Sequence, residues 1–112
     1  MKYYLGNKLL FVDMIQSYTH CVVEGEDRVI CCQKSHSEAE RVCRDIRMLK
    51  LKRIEDMQRL LDGGHEYTGA TTTMFGTDYK DLYPTAGLLH GAMRRLRKNA
   101  ESVRVMELRV EA

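Results

Sequence analysis

The stretch from Ser37 to the Gly63-Gly64 pair constrains this chain most. Ser37 is a good helix N-cap, and Glu40 three positions later completes a capping-box pattern. Gly63-Gly64 is a stop signal. Between them, at about 100° per residue, Ala39, Val42, Cys43, Ile46, Leu49, Ile54, Met57, Leu60 and Leu61 fall in one broad stripe. A helix that long needs its apolar stripe covered, and 112 residues supply one domain's worth of chain, residues 1–112, to cover it.

The segment before the helix reads as strands. Lys2 to Leu5, a Gly6-Asn7 turn and Lys8 to Ile15 form one hairpin, because glycine and asparagine accept the positive φ of such a turn. Tyr18 to Glu24, a Gly25-Glu26-Asp27 turn and Arg28 to Gln33 form a second. Val29-Ile30-Cys31-Cys32 is apolar on both faces, which predicts a central strand. Residues 63–83 lose periodicity, apart from a short strand around Thr71 to Phe75. A second helix starts at Pro84 and runs to about Asn99, with Thr85, Leu88, Leu89, Ala92, Met93 and Leu96 as its core stripe. Val103 to Val110 reads as a last strand that rejoins the N-terminal sheet. The expected class is α+β: a small antiparallel sheet from N-terminal hairpins plus a C-terminal strand, packed with two helices.

Composition excludes some functions. No run reaches the roughly 18 apolar residues of a bilayer span, and the first residues do not form a signal peptide, so a cytoplasmic protein without membrane contact is expected. Cys21, Cys31, Cys32 and Cys43 fit that compartment as free thiols. His20, His36, His65 and His90 show no metal-ligand spacing, and no nucleophile or paired-carboxylate motif occurs. The expectation is therefore no enzyme, no catalytic residues, no cofactor and no metal.

Charge is more informative by region than in total. The chain carries 18 Lys+Arg against 16 Asp+Glu, too even for a protein that coats duplex DNA through about 6–10 phosphate contacts. Residues 84–112, however, hold Arg94, Arg95, Arg97, Lys98, Arg104 and Arg109 against Glu101, Glu107 and Glu111. On the second helix Gly87, Gly91, Arg94 and Lys98 share a stripe flanked by Arg95 and Arg97. Glycines let a ligand approach the backbone, and arginines grip an anion bidentately. The competing explanation is that basic residues simply suit a helix C-terminus and small ones suit helix packing. Lys50 and Arg53 sit inside the long helix's apolar stripe, so they snorkel or meet a ligand or partner. Met48 and Leu51 lie outside it and suit an oligomer interface. Phe75, Tyr79 and Tyr83 offer a stacking surface for a base, or core plugs.

The layout also resembles a known family. Cys21-Val22-Val23-Glu24-Gly25-Glu26-Asp27-Arg28-Val29-Ile30-Cys31-Cys32, then a long charged helix, then Asp78-Tyr79-Lys80-Asp81-Leu82-Tyr83-Pro84 through Arg94-Arg95-Leu96-Arg97 to Val110, resembles the small phage anti-Thoeris sponges for cyclic ADP-ribose signals. The resemblance implies an oligomeric α+β protein in the host cytoplasm that sequesters a cyclic nucleotide at subunit interfaces without turning it over. It also implies a site built from an aromatic, an asparagine and arginines; Phe75, Asn99, Arg104 and Arg109 fit by residue type. The combined expectation is a ligand site drawn from Phe75, Gly87, Gly91, Arg94, Arg95, Lys98, Asn99, Arg104 and Arg109. The alternative is a protein- or nucleic-acid-interaction module that uses the arginine-rich helices.

Overall fold

The computed structural model describes residues 1–14, 17–62, 73–74, 77–78 and 85–112, with 73–74 and 77–78 described as backbone. Strands β1 (Lys2–Leu5), β2 (Lys8–Val12), β3 (His20–Glu24) and β4 (Arg28–Gln33) precede helix α1 (His36–Asp62). A short hairpin, β5 (Thr73–Met74) and β6 (Thr77–Asp78), precedes helix α2 (Ala86–Ser102). The chain ends in β7 (Arg104–Glu107) and β8 (Arg109–Glu111). The class is α+β.

Contacts divide the chain into two compact units, one of residues 1–47 with 101–112, the other of residues 48–100. In the first, two antiparallel three-stranded sheets form, ordered β2-β1-β8 and β4-β3-β7. Gly6 and Gly25 take φ of 60° and 69° at the two hairpin turns, as their placement in the sequence requires. The C-terminal strand does rejoin the N-terminal strands, but it breaks at Leu108: β7 pairs with β3 and β8 with β1. Leu108 is itself buried and donates its backbone N–H to the Thr19 carbonyl at 2.9 Å.

β3, not β4, is the central strand of its sheet. The register steps from Val22 opposite Cys31 to Val23 opposite Val29, which leaves Ile30 as an extra residue in a bulge. Ile30 is accordingly 39% exposed. The apolar run on β4 thus reflects a bulged edge strand. β3 has both faces covered: Val22 packs with Ala39, Cys43 and Val103, whereas Cys21 and Val23 pack with Tyr3 and Leu108. One helix layer and two sheet layers therefore enclose the unit's core. Tyr3 anchors the cluster on the Cys21 and Val23 face, stacked on Phe11 at 4.6 Å and edge-on to Tyr18 at 5.8 Å. Each fully buried side chain of this kind contributes roughly 1.5–3 kcal/mol.

α1 starts two residues earlier than the Ser37 cap implies. Ser35 is the N-cap: its Oγ accepts the Glu38 backbone N–H at 3.2 Å, and its carbonyl accepts from Ala39 at 3.1 Å. Ser35 and Glu38 form a second S-x-x-E match two residues upstream of the first, and the N-cap bond falls on it.

In the second unit, Ile54 and Met57 of α1 pack with Leu89, Ala92 and Met93 of α2, flanked by Leu60, Leu61 and Leu96. Thr85 is not a core residue but the α2 N-cap, with its Oγ1 accepting the Leu88 N–H at 3.2 Å. Leu49 and Leu88, assigned to the stripes by angle, are 56% and 52% exposed. Lys50 and Arg53 are half-buried, and Lys50 has an interaction partner. Asp56, buried, lies 3.5 Å from Arg59. α2 continues through Ser102, beyond the expected end at Asn99. Residues 71–72, 75–76 and 79–84 lie outside the described residues, and with them most of the expected 71–75 strand, Phe75, Tyr79, Tyr83 and Pro84.

Candidate functional site: an arginine-lined pocket in the first unit

Residues from the start of α1 and the start of β7 border a pocket of about 330 Å³: His36, Glu40, Cys43, Arg44, Arg47, Arg104 and Val105. The helical spacing produces one side of it. His36, Glu40, Cys43, Arg44 and Arg47 recur at three- and four-residue intervals, so they share a flank of α1 beside the buried Ala39–Cys43 stripe. β7 supplies the other side, because Val105 faces α1 across from Val22 and carries Arg104 beside it.

Two of the three arginines, Arg47 and Arg104, are held by backbone carbonyls, not by acids. Arg104 donates from Nη1 to the Gly25 and Ser102 carbonyls, the latter at 3.0 Å, and from Nη2 to the Glu26 carbonyl at 3.3 Å. The β3–β4 turn, which offers the Gly25 and Glu26 carbonyls, is in turn fixed by Gly25 N–H donating to Ser102 Oγ at 3.0 Å. Arg47 donates from Nη2 to the Val103 carbonyl. The Arg44 side chain makes no hydrogen bond or ion pair among the described residues. A carbonyl fixes a guanidinium without cancelling its charge, and each guanidinium has five N–H donors. Three like charges therefore converge with donors to spare.

Glu40 is the pocket's single carboxylate, and its Oε1 lies 3.5 Å from His36 Nε2. His36 stacks edge-on to His20 at 5.0 Å, and His20 Nδ1 is 2.8 Å from Thr19 Oγ1. The lining sets three arginines against one carboxylate, a setting that attracts an anion bearing a hydrogen-bond donor. No cluster of three or more metal-ligating side chains occurs among the described residues.

Of the residues expected at the site, Arg104 is in this pocket. Arg109 belongs to the same unit but is engaged elsewhere: its guanidinium lies 4.2 Å from the Tyr4 ring centroid and pairs with Glu111. Gly87, Gly91, Arg94, Arg95, Lys98 and Asn99 belong to the second unit. Gly87, Arg94, Arg95 and Lys98 are exposed on α2, and Gly91 is half-buried. A Cβ on Gly91 would lie 3.6 Å from Arg95 Nη1, so the Arg95 guanidinium folds over the space that glycine leaves. Asn99 is half-buried and partnered. Phe75 lies outside the described residues. Arg44 and Arg47 lie outside the expected ligand set; their i, i+3 spacing on the Glu40 flank is the sequence signal that marks them. No protein-family model, curated protein or solved structure matches this chain.

Proposed function

We propose that the protein binds and holds an anionic, phosphate-bearing nucleotide without turning it over. The observation that carries this reading is the convergence of Arg44, Arg47 and Arg104 on one pocket, with two of the three immobilised by backbone carbonyls and only Glu40 opposing them. Gathering like charges is unfavourable unless a counter-ion returns the energy, and pre-positioned heads reduce the ordering cost of binding one. The ligand's phosphate takes the remaining guanidinium N–H groups. Glu40 accepts from a sugar hydroxyl, and Cys43 and Val105 provide an apolar wall. A volume of about 330 Å³ lies at the small end of ligand pockets, sized for a nucleotide rather than a polymer. The resemblance to sponge proteins adds the narrower proposal that the ligand is a cyclic nucleotide signal and the protein a phage anti-defence sponge acting in the host cytoplasm.

The test mixes purified protein with a panel of cyclic and linear nucleotides, then releases bound ligand by heat for mass analysis. Recovery of an unaltered nucleotide is expected. Recovery of none would sink the reading, and recovery of a chemically changed one would make the protein an enzyme. Arg44→Gln and Arg104→Gln should each weaken capture by about 1.5–3 kcal/mol, the value of a charged hydrogen bond.

Self-association is the second part of the reading. Met48 and Leu51, exposed at 62% and 48%, border a shallow groove of about 240 Å³ with Lys52 and Glu55 in the second unit. An apolar pair beside opposite charges suits a second copy or a protein partner, which is also what the interaction-module alternative needs. Sedimentation of Leu51→Glu against the parent chain decides it: a drop in oligomer size is expected, and an unchanged mass distribution would remove this face from the assembly.

A further inference from the structure

Cys21 and Cys32 stand directly opposite each other in the β3–β4 register. Opposed residues in an antiparallel pair project to the same side, and both pack into the face built around Tyr3 and Leu108. Their Cα atoms are then about 4.5–5.5 Å apart, inside the range of about 4.4–6.8 Å that disulfides adopt. The two other thiols are differently placed. Cys31, next in sequence to Cys32, projects to the opposite face and packs with Val22 and Cys43. All four are free thiols in this structure.

We propose that Cys21 and Cys32 are an oxidisable pair that closes a cross-strand disulfide on meeting a low-molecular-weight disulfide such as oxidised glutathione. Cys32 is half-buried and Cys21 fully buried, so attack begins at Cys32. The Cys32 thiolate attacks one sulfur of the oxidant and expels a glutathione thiolate, leaving a mixed disulfide on Cys32. Cys21 attacks the Cys32 sulfur and expels the second glutathione, whose thiolate takes up the Cys21 proton. Two electrons pass from the protein to the oxidant, and two glutathione molecules leave as thiols. Burial raises both thiols above their ordinary pKa, so the reaction accelerates as pH rises toward the alkaline side. The bridge ties β3 to β4, the hairpin whose turn carbonyls position Arg104.

The experiment treats the full chain with oxidised glutathione at about pH 8.5, traps remaining thiols by alkylation and maps the products by mass spectrometry. The expected product is lighter by about 2 Da, two hydrogen atoms, with the peptide containing Cys21 joined to the peptide containing Cys31-Cys32. Cys31→Ser should still close the bridge, whereas Cys32→Ser should not. A loop this short should raise Tm by about 5–10 °C, reversed by a thiol reductant. The Cys31→Ser/Cys43→Ser double variant keeps the pair and serves if Cys32→Ser misfolds. A stable mixed disulfide on Cys32 that never closes, a bridge to Cys31 or Cys43, or disulfide-linked dimers would each overturn the proposal. None of these outcomes depends on whether a nucleotide binds.

Discussion

Cys21 has no exposed surface, and its thiol is pushed up from 9.0 to about 11, chiefly by burial and then by the neighbouring Cys32 and Cys31. The sign of the consequence follows from which state keeps its proton. Between those values the unfolded chain ionises while the folded one stays protonated, so the folded state binds more protons and stability falls as pH rises. The full contribution is present below pH 9 and is lost toward 11, on the order of 2 kcal/mol. Denaturant midpoints at pH 8 and pH 10.5 should therefore separate for the parent chain. In Cys21→Ala the part of that separation due to this thiol should vanish, on top of a pH-independent loss from the cavity. A parent chain with equal midpoints at both pH values would show that Cys21 ionises as easily folded as unfolded. The same scale explains what the sequence hid about the candidate site. Arg104 stood out by type alone, but its partners Arg44 and Arg47 gain their meaning only because Val103, 56 positions from Arg47, turns its carbonyl toward that guanidinium. No local pattern encodes a contact of that separation.

At the level of elements, most of what was legible came from short-range rules. The Gly6 and Gly25 turns, β1, β4 and the body of α1 follow from turn chemistry and periodicity. The misplacements share one cause: a local pattern that fits two positions is settled by packing. Ser35-x-x-Glu38 and Ser37-x-x-Glu40 are equally good capping boxes as strings, and the chain uses the first, whose Ser35 Oγ meets the Glu38 N–H. Ser35→Ala should cost about 1 kcal/mol, the typical value of a lost N-cap, while Ser37→Ala should stay within about 0.5 kcal/mol. Equal losses in urea titrations of the two variants would return the cap to Ser37. Likewise the run Val29-Ile30-Cys31-Cys32 looked like a buried central strand because a bulge is invisible to hydropathy; Ile30 is the residue the ladder skips. The split at Leu108 is of the same kind, since one buried leucine between two strands reads as part of a single alternating strand.

For the molecule as a whole, 18 basic residues against 16 acidic ones set a limit on the partner. The pocket brings together Arg44, Arg47 and Arg104, so a nucleotide placed there would meet three guanidinium groups at most, and Glu40 offsets part of their field. Counter-ion release scales with the phosphates neutralised, giving a slope in log K against log salt of about −0.9 for each on duplex DNA and about −0.7 on single strands. For a site of this size, that slope should be no steeper than about −3. Arg94, Arg95, Arg97 and Lys98 on α2 add basic surface in the second unit, which a polymer would engage and a small ligand would not. Anisotropy titrations of a labelled nucleotide and a labelled duplex across a salt series distinguish the two. The nucleotide should stay bound at physiological salt with the shallow slope, and Arg94→Gln should leave its affinity unchanged. The duplex should be released as salt rises. A slope of about −6 or steeper, shared by both probes and flattened by Arg94→Gln, would identify a nucleic-acid surface and displace the pocket as the functional centre.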